Sequence, residues 1–381
     1  MRITLVTETF LPEVNGVAMT LGRLVGGLRE RGFDVEVIRP RQVQETAQTK
    51  APAGEFVVPG APIPFYRSLR MGLPATRKLK RRWQQQRPDI VHIATEGPLG
   101  VSALRAARAL KLPVTSSYHT NFHQYGSHYG MSILKSIALA WMRWFHNASF
   151  CTMVPTRQMQ AELEGDGFER LRVLSRGVDT DLFSPARRDE KLRESWGAGP
   201  DDPVVIHVGR MAAEKNIGLA VEAFEALRAS VPDARLVLVG DGPAKAPLSA
   251  KHPEYHYAGM RRGEDLAAHY ASADVFLFPS VTETFGNVVT EGLASGLVVM
   301  GYDYAAAREH VRDGTNGYLV PMNDEAAFKR RATAIMVERA NWPAVRAAAR
   351  DTAQGLTWTV IVQLFADTLA EAIEASRTRA D

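Results

Sequence analysis

Two carboxylates, Glu283 and Glu291, stand eight positions apart in the run Ser280-Val281-Thr282-Glu283-Thr284-Phe285-Gly286-Asn287-Val288-Val289-Thr290-Glu291. Carboxylates accept hydrogen bonds from hydroxyl groups. A glycine at a helix start lets a phosphate approach free backbone N–H groups, and the helix dipole favours its charge there. Glu283 follows an apolar run ending at Phe278, on a loop opened by Pro279. Glu291 falls about one turn into a helix that begins near Gly286 and is closed by Gly296. The segment therefore has the residue types to hold a sugar at one end, a phosphate in the middle and a ribose at the other. The same residues also fit a plain loop with one solvated and one capping glutamate.

A second constellation is Arg210 and Lys215, five apart in Gly209-Arg210-Met211-Ala212-Ala213-Glu214-Lys215-Asn216. A guanidinium fork and an ammonium point charge on one strand-to-helix loop can serve one phosphate cluster, or be two surface cations. Pro12-Glu13-Val14-Asn15-Gly16-Val17 is a further turn before a helix, without the G-x-G-x-x-G fingerprint. Gly240-Asp241-Gly242-Pro243 is equally open between a binding turn and a shaped loop. His119, in Ser117-Tyr118-His119-Thr120-Asn121-Phe122-His123, can bond a sugar hydroxyl near neutral pH. His119, His123, His128 and His146 gather in one region but lack metal-ligand spacing. Asp179-Thr180-Asp181 imitates a cation-binding pair and reads as a turn with a helix cap.

These groups need a scaffold. Short β-rich runs (Ile3–Val6, Val35–Ile38, Asp89–Ile93, Val114–Tyr118) alternate with helical stretches such as Leu21, Leu24, Val25 and Leu28, stopped by Gly32. A fresh series runs through Pro203–Gly209, Ala234–Val239, Val275–Phe278 and Leu297–Met300. Strands alternating with helices imply βαβ units and a parallel sheet. The expected fold is α/β, with two doubly wound Rossmann-like domains facing one cleft. Expected boundaries are an N-terminal domain over 1–182, a linker over 183–202 and a C-terminal domain over 203–357. A closing amphipathic helix over 358–381 carries Val360, Val362, Leu364, Phe365, Leu369 and Ile373.

Composition agrees with such a chain. Its 381 residues, 45% hydrophobic and 23% charged, exclude a disordered, collagen-like or disulfide-scaffold protein. The single cysteine, Cys151, points to a reducing cytosol. The start, MRITLVTETF, reads as a strand rather than a signal peptide. No run approaches the ~20 apolar residues of a membrane span. The net charge of +4 hides an asymmetry: residues 1–185 hold 24 Lys/Arg against 15 Asp/Glu, and the remainder 22 against 27.

Two features bear on a membrane. Eight Lys/Arg and no acid lie between Arg67 and Arg87, including Arg77, Lys78, Lys80, Arg81 and Arg82, with Leu73, Leu79 and Trp83 interleaved. Met131–Phe145 is strongly apolar and ends in Trp141, Trp144 and Phe145. Basic amphipathic segments and indole rings both favour anionic membrane surfaces; a solvated basic face and a buried helix are the bland alternatives. No recognised nucleic-acid motif accompanies the charge, so no nucleic-acid partner is expected.

Taken together, PEVNGVA, SSYHTNF, SRGVDTDLFSP, GRMAAEKN, GDGP, PSVTETFGNVVTEGLASG and YDYAAAREHVRDGTNGYLV resemble the family 4 retaining glycosyltransferases of the GT-B fold. The resemblance spans nearly the whole chain. It implies that Arg210 and Lys215 neutralise a donor diphosphate, that Glu283 holds the donor hexose and that Glu291 contacts the ribose. It further implies backbone contacts from Phe285, Gly286, Asn287 and Val288, a base flanked by Gly259 and Met260, and a diphosphate approached by Gly16. His119 is similar to the family histidine beside the transferred sugar, and the last helix is expected to cross back onto the first domain. The chain departs from the common family pattern at Thr290-Glu291-Gly292, Gly296-Leu297-Val298 and Ala305-Ala306-Ala307. These versions resemble the branch that forms mannosyl- and glucosyl-glycolipids.

The implied activity is retaining transfer of a hexose from a GDP- or UDP-sugar to a membrane lipid such as diacylglycerol or a phosphoinositide. No metal or further cofactor is expected to be required. The implied place is the cytoplasm, peripheral on the inner face of the plasma membrane. The same chemistry on a soluble or polysaccharide acceptor is the alternative; a sugar-nucleotide epimerase and a non-catalytic nucleotide-binding protein are the competing classes.

Overall fold

β-Branched runs too short for helices, each followed by a stretch of helical period, build two parallel sheets. The computed structural model describes residues 1–13, 15–43, 45–46, 48–63, 66–119 and 132–378. Of the features named above, Val14, Thr120–His123, His128, Met131, the last three residues and the side chain of Arg67 lie outside the described residues.

In chain order come β1 (Arg2–Val6), α1 (Gly16–Glu30), β2 (Asp34–Pro40), β3 (Glu55–Val58), β4 (Gly60–Ile63), β5 (Tyr66–Gly72) and α2 (Thr76–Gln85). Then follow β6 (Ile90–Ile93), α3 (Pro98–Ala109), β7 (Val114–Ser117), α4 (Ser132–His146), β8 (Thr152–Val154), α5 (Arg157–Gly165) and β9 (Leu171–Val173). The next stretch holds α6 (Glu190–Ser195), β10 (Val204–Val208), α7 (Ile217–Arg228), β11 (Arg235–Val239), α8 (Lys245–Lys251), β12 (His256–Gly259) and α9 (Gly263–Ala271). The chain ends with β13 (Val275–Phe278), α10 (Asn287–Ala294), β14 (Val298–Tyr302), α11 (Ala305–His310), β15 (Tyr318–Val320), α12 (Glu325–Val337), α13 (Trp342–Gln354) and α14 (Trp358–Thr378).

The chain divides into two units, residues 1–176 with 358–381 and residues 177–357. The first holds a parallel sheet in the order β3-β2-β1-β6-β7-β8-β9 and an antiparallel hairpin, β4-β5. The second holds a parallel sheet in the order β12-β11-β10-β13-β14-β15. Each sheet reverses its winding once, between β1 and β6 in the first unit and between β10 and β13 in the second. Ligands of doubly wound sheets bind beyond the carboxyl ends of the strands at such a reversal.

In the first unit, α1 starts where the Asn15 side chain accepts from the N–H groups of Val17 and Ala18. Its Leu21, Leu24 and Leu28 pack against Ile361, Phe365 and Leu369 of α14. Gly27 permits that approach, since a Cβ there would lie 2.6 Å from Val362 Cγ2. Two positions read as part of the apolar stripe of α14 face outward instead: Val360 is 39% and Leu364 49% exposed. The buried stripe runs through Ile361, Val362, Phe365, Ala366, Leu369 and Ala372, a phase one residue off the expected one at its start.

The stretch 183–202, rich in charge, Pro and Gly, reads as a linker but carries α6, and Phe183, Trp196 and Ala198 are buried in the core of the second unit. Arg193 fixes it. Its guanidinium donates to Asp274 Oδ2 at 3.1 Å and to the carbonyls of Ser272, Gly199 and Asp202. A buried cation bonded through both of its terminal nitrogens holds a segment whose composition alone says loop.

Candidate active site

The loops leaving β10 and β13 flank the sheet reversal of the second unit. The β10 loop passes through Gly209 and Arg210 to a short 3₁₀ turn, Ala213–Lys215, and Asn216 in the left-handed region introduces α7. This path crosses the β11 loop closely: a Cβ on Gly240 would lie 1.9 Å from the Gly209 carbonyl oxygen. The β13 loop ends at Gly286, whose φ of 95° turns the chain into α10.

Lys215 joins the two loops. Its ammonium donates to Glu283 Oε1 at 2.5 Å and to the Thr282 carbonyl at 3.0 Å. Ser280 Oγ donates to the same Glu283 oxygen at 2.9 Å, and Tyr304 Oη donates to the Glu283 carbonyl at 2.9 Å. Glu283 is thus fixed by three other side chains. Gly286 lies beside it, with Glu283 Cγ 3.5 Å from where a Cβ would stand. The Phe285 carbonyl accepts from Ala306 N–H at 2.8 Å, which sets the entry to α10. Asn287 Oδ1 is buried without a hydrogen-bond partner among the described residues.

Arg210 behaves differently from Lys215. Its side chain is 66% exposed and approaches Glu214 at 3.4 Å. Sequence spacing allows both cations to reach one phosphate cluster or to be two surface cations; Lys215 is drawn to Glu283, while Arg210 extends into solvent from the same loop.

Glu291, on α10, accepts from Tyr270 Oη at 3.0 Å. Burial pushes its carboxyl up to about 7, and the Tyr270 hydrogen bond opposes that rise. Gly259 ends β12 with a φ of 73°, and Met260 beside it is 59% exposed. Both lie along the carboxyl-end edge of the same sheet.

In the first unit the corresponding reversal lies beside the β1 loop. Asn15 Nδ2 donates to Thr9 Oγ1 at 2.7 Å and Glu13 Oε2 at 3.2 Å, shaping the turn that presents Gly16. A Cβ on Gly16 would lie 3.4 Å from Arg176 Nη1. His119 follows β7, and its Nε2 is buried without a partner among the described residues. Burial, helped by the Arg176 cation, pushes His119 down to about 3, so it is a neutral imidazole at pH 7. Arg176, His119, Ser117 and Thr20 line one small cavity of this unit.

The other histidine of the region, His146, is a core residue sharing a hydrogen bond with Ser116 Oγ at 3.0 Å. Asp179 Oδ1 accepts from Leu182 N–H, closing a turn. Among the described residues, ligand atoms of Glu225, His252 and Glu254 lie within 4.8 Å of one another. None of these three belongs to the groups described above.

Comparison with known proteins decides the family. The model for Glycosyltransferase Family 4 matches residues 14–182, and that for Glycosyl transferases group 1 matches residues 202–337. The GDP-mannose-dependent alpha-mannosyltransferase of Mycobacterium tuberculosis (strain CDC 1551 / Oshkosh) is 35% identical over 364 residues, 94% of each chain. The chain is a family 4 glycosyltransferase. The alpha-monoglucosyldiacylglycerol synthase of Acholeplasma laidlawii is 30% identical over 85% of this chain and 86% of its own. The fold matches that of the sucrose-phosphate synthase from Thermosynechococcus elongatus, with a TM-score of 0.77 at 19% identity, covering 98% of this chain and 99% of that one.

Two surfaces of this glycosyltransferase carry the features read as membrane contacts. On α2, Arg77, Lys78, Lys80 and Arg81 are exposed, with Lys78 Nζ 4.9 Å from the Phe56 ring centre. Arg82 is engaged elsewhere: it donates to both oxygens of Glu36 and stacks 4.1 Å over Phe56. Trp83 and Leu79, interleaved with these cations, are core residues with no exposed area. On α4, Ile137, Trp141 and Trp144 are 61%, 44% and 42% exposed at helical spacing, while Met142 and Phe145 beside them are buried. Among the described residues no helix is long and apolar enough to cross a membrane.

Sequence reasoning passed over Ser280, Tyr304 and Arg176 although each stands inside a quoted motif, because hydroxyl and guanidinium groups carry no spacing that announces a partner. Tyr270 gave no signal at all.

Proposed function

We propose that this glycosyltransferase moves a hexose from a nucleoside diphosphate donor of the GDP-mannose type to a hydroxyl of a membrane lipid, retaining anomeric configuration. The bond from the anomeric carbon to phosphate breaks, the bond to the acceptor oxygen forms, and a nucleoside diphosphate leaves with the acceptor proton released. The observation that carries the reading is Lys215 held against Glu283 at the start of α10: a cation for the diphosphate beside a carboxylate for sugar hydroxyls.

Lys215, with Arg210 swinging in from solvent, neutralises charge that grows on the leaving phosphate. The N–H groups opening α10 at Asn287 and Val288 add to this with Phe285 and Gly286 backbone. These fixed charges serve in place of an essential metal. Glu283 accepts hydrogen bonds from the hexose and Glu291 from the ribose, with Gly259 and Met260 beside the base. Gly16 approaches the diphosphate, and the neutral His119 imidazole contacts the transferred sugar.

The donor follows the mannosyltransferase relative, named for GDP-mannose. The lipid acceptor is supported by the diacylglycerol-modifying relative and by the exposed indoles of α4 and cations of α2. They suit a peripheral protein on the inner face of the plasma membrane.

Incubation of the pure protein with GDP-mannose, UDP-glucose and related donors, with a bacterial lipid extract and with EDTA in a parallel arm, tests this directly. A mannosyl lipid identified by mass spectrometry, formed equally with EDTA, is the expected outcome. Product on soluble sugars alone would overturn the acceptor, and donor interconversion without transfer would overturn the reaction.

A further inference from the structure

A buried tyrosine phenol needs a hydrogen-bond partner, because an unmade bond away from water costs the full desolvation of the group. Tyr270, on α9, has no exposed area and is wedged edge-on between Phe183 and Phe276, with ring centres 5.7 and 5.9 Å away. Two aromatic walls fix the ring, so the Oη position is fixed with it. From there it donates to Glu291 Oε2 at 3.0 Å and lies 3.5 Å from the Val288 carbonyl in the first turn of α10. Phe183 comes from the stretch that the composition reads as linker, so that segment is part of the support.

We infer that Tyr270 is a positioning residue for donor ribose: it holds the Glu291 carboxylate in one orientation and one ionisation state so that the remaining acceptor sites meet a vicinal diol. The inference rests on Glu291 as the ribose contact. A carboxylate offers about four lone-pair directions. One is taken by a donor that cannot move. The rest keep their directions before any nucleotide arrives, which lowers the ordering cost of binding. The phenol also favours the charged carboxylate over the neutral acid, which would present a donor of its own to the ribose hydroxyls. Burial drives Glu291 toward the neutral acid, so a donor at this place favours the state in which the diol meets an acceptor at neutral pH.

The test is calorimetric binding of GDP and UDP, each beside its 2′,3′-dideoxy counterpart, to wild type, Tyr270→Phe, Glu291→Gln and the double variant across pH. Wild type is expected to prefer the ribonucleotide about tenfold or more, as for a lost hydrogen bond to a charged group. Tyr270→Phe is expected to shrink that preference severalfold and to move the pH midpoint of ribonucleotide binding upward, while dideoxynucleotide affinity stays put. In the Glu291→Gln background the tyrosine change is expected to add nothing. Equal loss for both nucleotides, or an undiminished preference in Tyr270→Phe, would overturn the tyrosine's role. A wild type that does not distinguish ribose from dideoxyribose would instead overturn Glu291 as the ribose contact. Should Tyr270→Phe fail to fold, Phe183→Leu, which removes one of the two walls that fix the phenol, is read with the same nucleotide pairs: it is expected to shrink the ribose preference while leaving dideoxynucleotide affinity in place, and an undiminished preference would overturn the tyrosine's role.

Discussion

The Lys215 ammonium lies 2.5 Å from Glu283 Oε1, with side-chain exposures of only 20% and 14%. The cation proposed for the diphosphate and the carboxylate proposed for the sugar are thereby one ion pair. Ser280 adds a second donor to the same oxygen. A donor molecule has to share this pair, so each partner acts through the other as well as directly.

Removing either partner is expected to be severe. Lys215→Ala and Glu283→Ala should each lower turnover by ~10²-fold or more, the usual loss for a charge-stabilising group. The double variant should lose less than the product of the two single losses, because both remove one shared interaction. Nucleoside diphosphate release measured under saturating donor checks this.

Acidity should act on binding and on stability in opposite directions. Glu291 is raised from 4.5 to about 7 in the folded chain, so the native state holds its proton more tightly than the unfolded one. Its contribution to stability is therefore present below about pH 4.5 and is lost as pH rises toward 7. Half-buried Glu8, also raised to about 7 by desolvation, contributes in the same direction. With Glu291 in its proposed role as the ribose contact, nucleotide affinity should instead climb through that interval. Glu291→Gln should gain in melting temperature relative to wild type as pH rises from about 4.5 to 7, and should flatten the binding profile. His119, neutral down to about 3, should contribute no limb near pH 6.5.

Membrane association should divide along α2. Reversing Arg77, Lys78, Lys80 and Arg81 to Glu should abolish cosedimentation with anionic liposomes, since each removed cation is worth ~1 kcal/mol at the surface. Trp141→Ser with Trp144→Ser should weaken it further. Arg82→Ala should behave otherwise, lowering melting temperature with little effect on liposomes, because that guanidinium is bound to Glu36 and Phe56.

Backbone crowding makes one glycine indispensable. Gly240 has a φ of 133°, and a Cβ there would meet the Gly209 carbonyl at 1.9 Å. Gly240→Ala should displace the loop that carries Arg210 and Lys215, lowering both melting temperature and turnover. Gly16→Val should spare melting temperature and reduce turnover, because its methyl groups would meet Arg176 at the mouth of α1.

Much of this protein is written in local order. β-Branched runs and helical periods gave the two parallel sheets, and Glu283, Gly286, Arg210 and Lys215 fall on strand-end loops, with Glu291 on the helix that follows, because chain order alone puts them after β10 and β13. The strands β3, β8, β9, β12 and β15 and the β4-β5 hairpin escaped that reading, since runs of three to seven residues become strands only through a neighbour's hydrogen bonds. The fate of 183–202 depended on Arg193 finding Asp274, 81 residues away. In the same way, α2 shows a cation-rich run to the sequence, but Glu36 and Phe56 take Arg82 out of it, and Trp83 turns to the core. Period fixes which residues share a face; only packing decides which face meets water. So it was with the site: residue types and spacing named the carboxylates and cations, while the pairing of Lys215 with Glu283 and of Tyr270 with Glu291 arose from contacts distant in sequence, where short-range pattern carries no information.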